Sequence, residues 1–216
     1  MKNVLQVFLC LFLLVSFQFM PRTEASDAAG QAPAPIKYKV DASESRFVVR
    51  AFAGGVLSAF GHDHTIAIRD FSGDAVVTPS SFTPASLRLT IKADSLSVTD
   101  KVSDKDRNEI QTTMKDSVLE TGKYPDITFK STEVSADKTG EGRYRVRMSG
   151  DVTLHGVTRQ VAINATVDFS AGALRAKGEF PVKQTDYKIT PVSAAGGTVK
   201  VRDELKLSFD IVAKQQ

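Results

Sequence analysis

The chain has 216 residues, of which 42% are hydrophobic and 25% are charged, and its formal net charge is +3. This composition supports a packed core and excludes a wholly disordered chain. The charge is small and spread along the sequence, so we expect no nucleic-acid partner. The length fits one domain that follows an export segment.

The N-terminal segment has the organisation of a signal peptide. Lys2 is followed by an apolar run over residues 4–20, and the small residues Thr23 and Ala25 occupy positions −3 and −1 of a cleavage site. We therefore expect a signal peptide over residues 1–25 and, after cleavage near Ala25, a periplasmic or secreted protein. The apolar run is long enough that an uncleaved membrane anchor is the alternative.

After the signal peptide, residues 26–36 are small and proline-containing, which is typical of a linker. From residue 37 to 214 the sequence indicates one domain built from short segments in which apolar and polar residues alternate. This period of two places the apolar side chains on one face of a strand. The alternating segments are 47–51, 66–68, 87–91, 127–129, 144–148, 161–169 and 205–211, and 75–78 and 174–182 are less regular.

About eight half-buried strands predict an all-β fold. An antiparallel sheet that closes on itself into a barrel would bury every apolar face and leave no free edge. A barrel of this size can be filled by side chains or can hold one ligand. A two-sheet sandwich is the alternative. Turn residues at 72–74, 137–140, 155–156 and 171–172 would join the strands.

One segment departs from the strand pattern. Residues 103–119 begin with the capping pair Ser103 and Asp106, and Arg107, Ile110 and Met114 fall on one helical stripe. We expect a single helix that packs on the barrel or across one end of it. Because Arg107 belongs to the apolar stripe, its guanidinium needs a carboxylate partner or a ligand anion.

Four stretches of the sequence together resemble the YceI-like family. They are YKVD through SRF at 38–47, DRN at 106–108, YPDITFKS at 124–131 and GDVTLHGVT at 150–158. The segment HDH at 62–64 is similar to a subgroup of that family. The resemblance implies a lipocalin-like barrel that binds a polyisoprenoid or another long lipid, without a cofactor and without an established catalytic mechanism.

The parity of the strands predicts which side chains face the interior and would contact such a ligand. Small inward residues, including Ala51, Ala165 and Ala176, leave room among larger neighbours. The predicted apolar lumen consists of Phe47, Val49, Leu89, Ile91, Phe129, Ile163, Val167, Leu207 and Phe209.

Polar contacts to a ligand head group are expected at one end of the barrel. His62 and His64 share the parity of the inward residue Ile66, and Arg107 is the third candidate. The two histidines could instead simply bond the backbone at a loop end, and we predict no metal site. A zinc-dependent hydratase or hydrolase built on His62, His64 and His155 is the enzymatic alternative. Strand alternation directs His155 outward. The simpler interpretation of His155 is that it belongs to the turn at 155–156.

Arg143, Arg145 and Arg147 form a basic row on the outer face of one strand. Such a row is usually solvated and matched by acidic neighbours, and its alternative is contact with an anionic membrane surface. The leading interpretation is thus an exported lipid-binding protein, either monomer or homodimer, that is not an enzyme. A further alternative is a barrel whose interior is filled by side chains and which acts as a partner-binding or stress protein.

Overall fold

The computed structural model describes residues 33–56, 62–79 and 81–216. The predicted signal peptide and residues 26–32 of the predicted linker lie outside the described residues. Pro33–Gln216 form a single unit. Its strands are β1 (Ile36–Val40), β2 (Arg46–Ala51), β3 (Ala53–Gly54), β4 (His64–Ile68), β5 (Phe71–Val77), β6 (Ala85–Lys92), β7 (Leu96–Val98), β8 (Asp126–Gly140), β9 (Arg143–Leu154), β10 (Val157–Ser170), β11 (Ala173–Lys183), β12 (Ser193–Ala194), β13 (Val199–Val201) and β14 (Glu204–Gln215).

Eight of these strands form a closed antiparallel barrel. Their order is β1, β5, β6, β8, β9, β10, β11 and β14, and β14 pairs back to β1, with Val40 opposite Ala213. The ring is extended by β2, β4 and β7: β14 pairs with β2, β2 with β4, and β4 with β7. The predicted barrel is therefore confirmed, and ring closure excludes the two-sheet alternative.

The alternation of apolar and polar residues in the sequence corresponds to the inner and outer faces of the barrel. On β10, Ile163, Ala165 and Val167 are buried, whereas Asn164 and Thr166 between them are exposed. Because successive side chains of a strand point to opposite faces, one apolar set from each strand lines the lumen. Burial of these sets supplies the hydrophobic stabilisation of the barrel.

Two predicted turns are wrong. Residues 72–74 lie inside β5, where a Cβ on Gly73 would come within 3.2 Å of the Val40 side chain. Glycine at this position permits neighbouring groups to approach closely, which is a common role of glycine in strands. Residues 137–140 also belong to a strand, because β8 continues to Gly140 and the turn contains Gly142, whose φ is 64°.

The predicted helix is present but is not uniform. Helix α1 spans Asp104–Thr113, and Met114–Val118 continue it with π-helical geometry. The Ser103 side chain accepts a hydrogen bond from the backbone N–H of Asp106 (3.1 Å), as the sequence predicted. In the described part of the chain, no helix has the length and apolar character needed to cross a bilayer.

Helix α1 is attached to the free edge of β7. The backbone N–H of Val98 donates to the side-chain oxygen of Gln111 (2.9 Å), and the Gln111 amide donates to the Leu96 carbonyl. The glutamine thus satisfies groups that a neighbouring strand would otherwise satisfy, which protects an edge from pairing with another chain. It also fixes the helix beside one end of the barrel.

Candidate ligand-binding site

The barrel encloses an apolar cavity of about 210 Å³. All nine residues that the sequence predicted for the lumen line it, and whether they contact a ligand stays a prediction. Ala165 and Ala176 also line it, as their inward parity requires. Among its lining residues, only Ser86 and Thr128 are polar, and both belong to strands of the wall. An interior of this kind suits an apolar molecule.

One end of the lumen is closed by aromatic side chains. The ring centroids of Phe82 and Tyr144 are 4.7 Å apart, and Phe169 lies 5.6 Å from Phe82 and 5.8 Å from Tyr144. The Tyr144 hydroxyl donates to the Pro79 carbonyl at 2.7 Å, so this polar group is satisfied without water in the lumen. We refer to Phe82, Tyr144 and Phe169 as the aromatic plug.

The other end of the lumen meets a second cavity of about 820 Å³, which we call the mouth cavity. From the plug at Tyr144 to Leu154, the rise and tilt of β9 give a lumen roughly 25 Å long. The two cavities adjoin along a shared apolar boundary. The residues that line both are Val49, Leu96, Leu119, Leu154, Val182 and Leu205.

The mouth cavity carries the polar groups that the lumen lacks. His62 and His64 line it, as do the charged residues Lys101, Asp106 and Glu109. Helix α1 and the π-helical turn also contribute apolar side chains to one side of the cavity. A long ligand with its chain in the lumen would therefore place its head among these polar groups.

His64 is held in a defined orientation. Its Nδ1 lies 2.8 Å from Oδ2 of Asp100, and Oδ1 of Asp100 accepts the backbone N–H of Thr65 at 2.8 Å. The register that pairs Ile66 with Val98 places Asp100 opposite His64 two positions further along. The His64 side chain is 20% exposed. The Asp100 carboxylate thus holds Nδ1 of the imidazole, and Nε2 is left to contact a molecule in the mouth cavity.

Arg107 differs from its predicted environment. Its guanidinium donates to the carbonyls of Val98 (3.2 Å) and Val102 (3.3 Å). The expected carboxylate partner is therefore wrong, because backbone acceptors at the seam between α1 and β7 satisfy the cation. Arg107 does not belong to the lining of the mouth cavity within the described residues, and its contact with a ligand stays a prediction.

His155 is also placed differently from its predicted outward position. It lies in the β9–β10 turn with a φ of 51°, and its side chain is only 12% exposed. Its Nε2 lies 2.6 Å from the Glu120 carboxylate and its Nδ1 lies 3.3 Å from the Tyr187 carbonyl. His155 therefore connects the turn to the end of the helical segment and to residues 184–187. In the same region, burial raises the pKa of the Tyr187 hydroxyl.

The three histidines do not form one centre. His155 contacts Glu120, whereas His64 contacts Asp100 and lines the mouth cavity with His62. Within the described ranges, no group of three or more His, Cys, Asp or Glu side chains is placed to hold a metal ion. This arrangement gives no support to the zinc-enzyme alternative.

The outer basic row is mostly neutralised by carboxylates. Arg143 pairs with Asp168 at 2.6 Å and Arg147 pairs with Asp137 at 2.9 Å. Arg145 is exposed between them. The ion pairs agree with the solvated interpretation of this row, and contact with a membrane stays a prediction.

Sequence reasoning missed Asp100, Lys101 and Glu109. Asp100 continues the inward parity of Leu96 and Val98, which is a signal for a buried polar group at a strand end. The signal is usable only once β4 and β7 are known to pair. Glu109 looks like an ordinary solvated residue of a helix.

A family model for the YceI-like domain matches residues 38–213. A UPF0312 protein from Pseudomonas fluorescens is 43% identical over 49 residues, which cover 22% of this chain and 25% of that protein. A UPF0312 protein from Pseudomonas putida is 29% identical over 142 residues, which cover 64% of this chain and 65% of that protein. The chain thus spans a quarter of the first relative and under two thirds of the second.

Solved structures share the fold. Burkholderia cenocepacia BcnA superposes with a TM-score of 0.60 at 22% identity, over 81% of this chain and 99% of that chain. A polyisoprenoid binding domain from Saccharophagus degradans superposes with a TM-score of 0.59 at 15% identity, over 84% and 99% of the two chains. The family model covers nearly all of the described barrel and confirms the resemblance seen in the sequence. The chain therefore belongs to the YceI-like domain family.

Proposed function

We propose that the protein binds a long apolar molecule, a polyisoprenoid or another lipid, lengthwise in the barrel lumen and acts as its carrier or store. The observation that carries this proposal is the apolar lumen, which is plugged at one end and adjoins at the other a cavity that has polar lining residues. The chain would lie in the lumen with its head in the mouth cavity.

The energetics favour a long ligand. Each buried CH₂ contributes roughly 0.8 kcal/mol, so about fifteen carbons buried in the lumen and the mouth cavity together give a gross gain of roughly 12 kcal/mol. Association itself costs about 4–15 kcal/mol, which a short chain would not offset. A ligand that fills most of the lumen is therefore required for tight binding without directional contacts in the barrel.

Membership of the YceI-like domain family and the related fold of a polyisoprenoid binding domain support this ligand class. They also support a binding protein rather than an enzyme. The absence of polar groups from most of the lumen wall points the same way, because a ligand there meets side chains that carry out no proton transfer or nucleophilic attack.

The test begins with protein purified from its native compartment, organic extraction and mass spectrometry. We expect a long-chain lipid in the extract. The variant Ile163→Lys places a charge on the lumen face of β10 and should abolish lipid recovery, because a buried cation without a partner is strongly unfavourable. Asn164→Lys, on the exposed face of the same strand, is the matched control.

Circular dichroism must show that both variants fold. Lipid recovery at the wild-type level from folded Ile163→Lys protein would mean that the ligand does not lie in the lumen, and the proposal would fail. Loss of lipid from both variants would also contradict it, because a change on the outer face should not affect the lumen.

We further propose that the protein is exported and acts in the periplasm or outside the cell. The signal-peptide pattern of residues 1–25 supports this location. N-terminal sequencing of the native protein should find a start at or near Ser26. An intact Met1 in the membrane fraction would replace export of a cleaved protein with an anchored one.

A further inference from the structure

We propose that the mouth cavity selects an uncharged head group that donates a hydrogen bond, such as a hydroxyl, and that Nε2 of His64 is the acceptor. This inference rests on the proposed binding of a chain in the lumen and specifies the chemical class of its head. It follows from the His64–Asp100 pair and from the charges around the cavity.

The first step concerns the position of the imidazole proton. Both carboxylate oxygens of Asp100 act as acceptors, one for the Thr65 N–H and the other for His64. The proton between His64 and Asp100 must therefore be on Nδ1. In the neutral imidazole this leaves the lone pair on Nε2, which can then only accept a hydrogen bond.

The second step concerns access to that lone pair. His64 lines the mouth cavity and is 20% exposed, and within the described residues its Nε2 has no hydrogen-bond partner. His62, which is exposed, lines the same cavity. A head group that leaves the lumen would therefore meet an oriented acceptor, which lies at the start of β4 and is held by Asp100, two residues beyond the end of β7.

The third step concerns charge. The charged side chains that line the cavity are one cation, Lys101, and two carboxylates, Asp106 and Glu109. The Asp100 carboxylate behind His64 adds a third negative charge, and the Arg107 guanidinium on the nearby Val98 and Val102 carbonyls adds a second positive one, so carboxylates exceed cations by one. A diphosphate or carboxylate head would be repelled by this excess, whereas an uncharged alcohol would not. The cavity therefore favours a neutral donor over an anion.

The variant Asp100→Asn tests the orientation of the acceptor. The Thr65 N–H still requires an oxygen, so the new amide must turn its NH₂ group toward His64. His64 must then accept at Nδ1 and carry its proton on Nε2, which becomes a donor. One substitution should thus reverse the hydrogen-bonding role of His64 toward the cavity without changing its position.

The probes are geranylgeraniol, its methyl ether and its diphosphate. The alcohol can donate a hydrogen bond, and the ether can only accept one. Affinities are measured at about pH 9 by displacement of a fluorescent apolar dye from delipidated protein. For the wild type we expect the alcohol to bind about tenfold more tightly than the ether, as one hydrogen bond predicts. The diphosphate should also bind more weakly than the alcohol.

In Asp100→Asn the preference for the alcohol over the ether should largely disappear, because Nε2–H can donate to either oxygen. His64→Phe retains a flat ring without nitrogens and should weaken alcohol binding about tenfold while it leaves ether binding nearly unchanged. This second variant tests the acceptor even if Asp100→Asn does not fold. Asp126→Asn, in an exposed ion pair with Lys92, is the control and should retain the wild-type preference.

The outcomes separate this inference from the proposed function. Equal affinity of the wild type for alcohol and ether, or tighter binding of the diphosphate, would overturn the head-group inference while lumen binding stands. An unchanged preference in both His64→Phe and Asp100→Asn would also overturn it. If no probe binds the wild type and no lipid is recovered from native protein, the proposed function itself fails and the head-group inference fails with it.

Discussion

Filling the closed end of the lumen should shorten the ligand that the protein accepts. Ala165 is buried on β10, lines the lumen and lies opposite Val146, two residues from the plug residue Tyr144. The variant Ala165→Phe adds an apolar ring here without placing a charge in the barrel. We expect the ring to occupy the space that the tail of a long ligand would fill.

The size of the effect follows from the carbons that are displaced. The change adds about six ring carbons, and if they exclude about three ligand carbons, the loss at roughly 0.8 kcal/mol each is about 2.4 kcal/mol. This corresponds to roughly fifty-fold weaker binding of a ligand that reaches the plug. A ligand short enough to end before Ala165 should lose little affinity.

The assay compares the dissociation constants of geranylgeraniol and of the longer hexaprenol, whose extended chain reaches past Ala165 to the plug when its head lies in the mouth cavity, for the wild type and the variant. The matched control is Ala162→Phe, which adds the same ring at an exposed position of the same strand. If the variant is folded and binds the longer alcohol as tightly as the wild type does, ligands do not extend to the plug.

The same variant also distinguishes an open lumen from a filled one. Overpacking a filled core costs about 1–3 kcal/mol, whereas a ring that enters free space costs little. We therefore expect delipidated Ala165→Phe protein to unfold at nearly the wild-type temperature. A fall comparable to that of an overpacked core would favour the alternative in which side chains fill the barrel.

Three further predictions concern stability. His155→Ala should lower the free energy of unfolding by about 1 kcal/mol, because the half-buried imidazole loses its hydrogen bonds to the Glu120 carboxylate and the Tyr187 carbonyl, and an unchanged melting temperature would contradict this. Gly178→Ala should cost about 1–3 kcal/mol in urea denaturation, because a Cβ would lie 2.6 Å from the Phe209 ring; wild-type stability would refute the close contact. A hydrogen bond from Arg175 lowers the pKa of Asp210 in the folded state, so the pair stabilises the fold above the ordinary aspartate pKa and loses this effect as pH falls through the lowered value. Asp210→Asn should thus cost less than about 1 kcal/mol at about pH 7 and progressively less as the pH falls below the ordinary aspartate pKa, and a difference that stays constant in acid would be inconsistent with this cause.

The sequence predicted the lumen well because period-two alternation is a local property. Ile163 and Val167 must face the same side of β10 whatever their neighbours are, and a closed sheet has only one interior. The length of the helix was also predictable from Ser103 and the apolar stripe. These inferences need no knowledge of which strands are adjacent.

The polar part of the candidate site could not be predicted in this way. The pairing of His64 with Asp100 depends on the register between β4 and β7, which are separated along the chain by two other strands, β5 and β6. The position of His155 depends on a turn residue with positive φ, which breaks the alternation that directed it outward. Arg107 was expected to need a carboxylate or a ligand anion, because the carbonyls of an edge strand are not visible in a sequence pattern.

The two ends of the barrel differ for physical reasons, and the difference gives the lumen a direction. At one end, aromatic rings pack on each other, and the Tyr144 hydroxyl donates to a backbone carbonyl, so the three plug residues leave no unbonded polar side chain to receive a head. At the other end, β7 has a free edge that helix α1 covers through Gln111, and this leaves a cavity beside the barrel instead of a plug. A chain that enters the lumen must therefore enter tail first from the mouth. His64 then becomes the position where the chemistry of the head, rather than the length of the tail, determines which ligand is held.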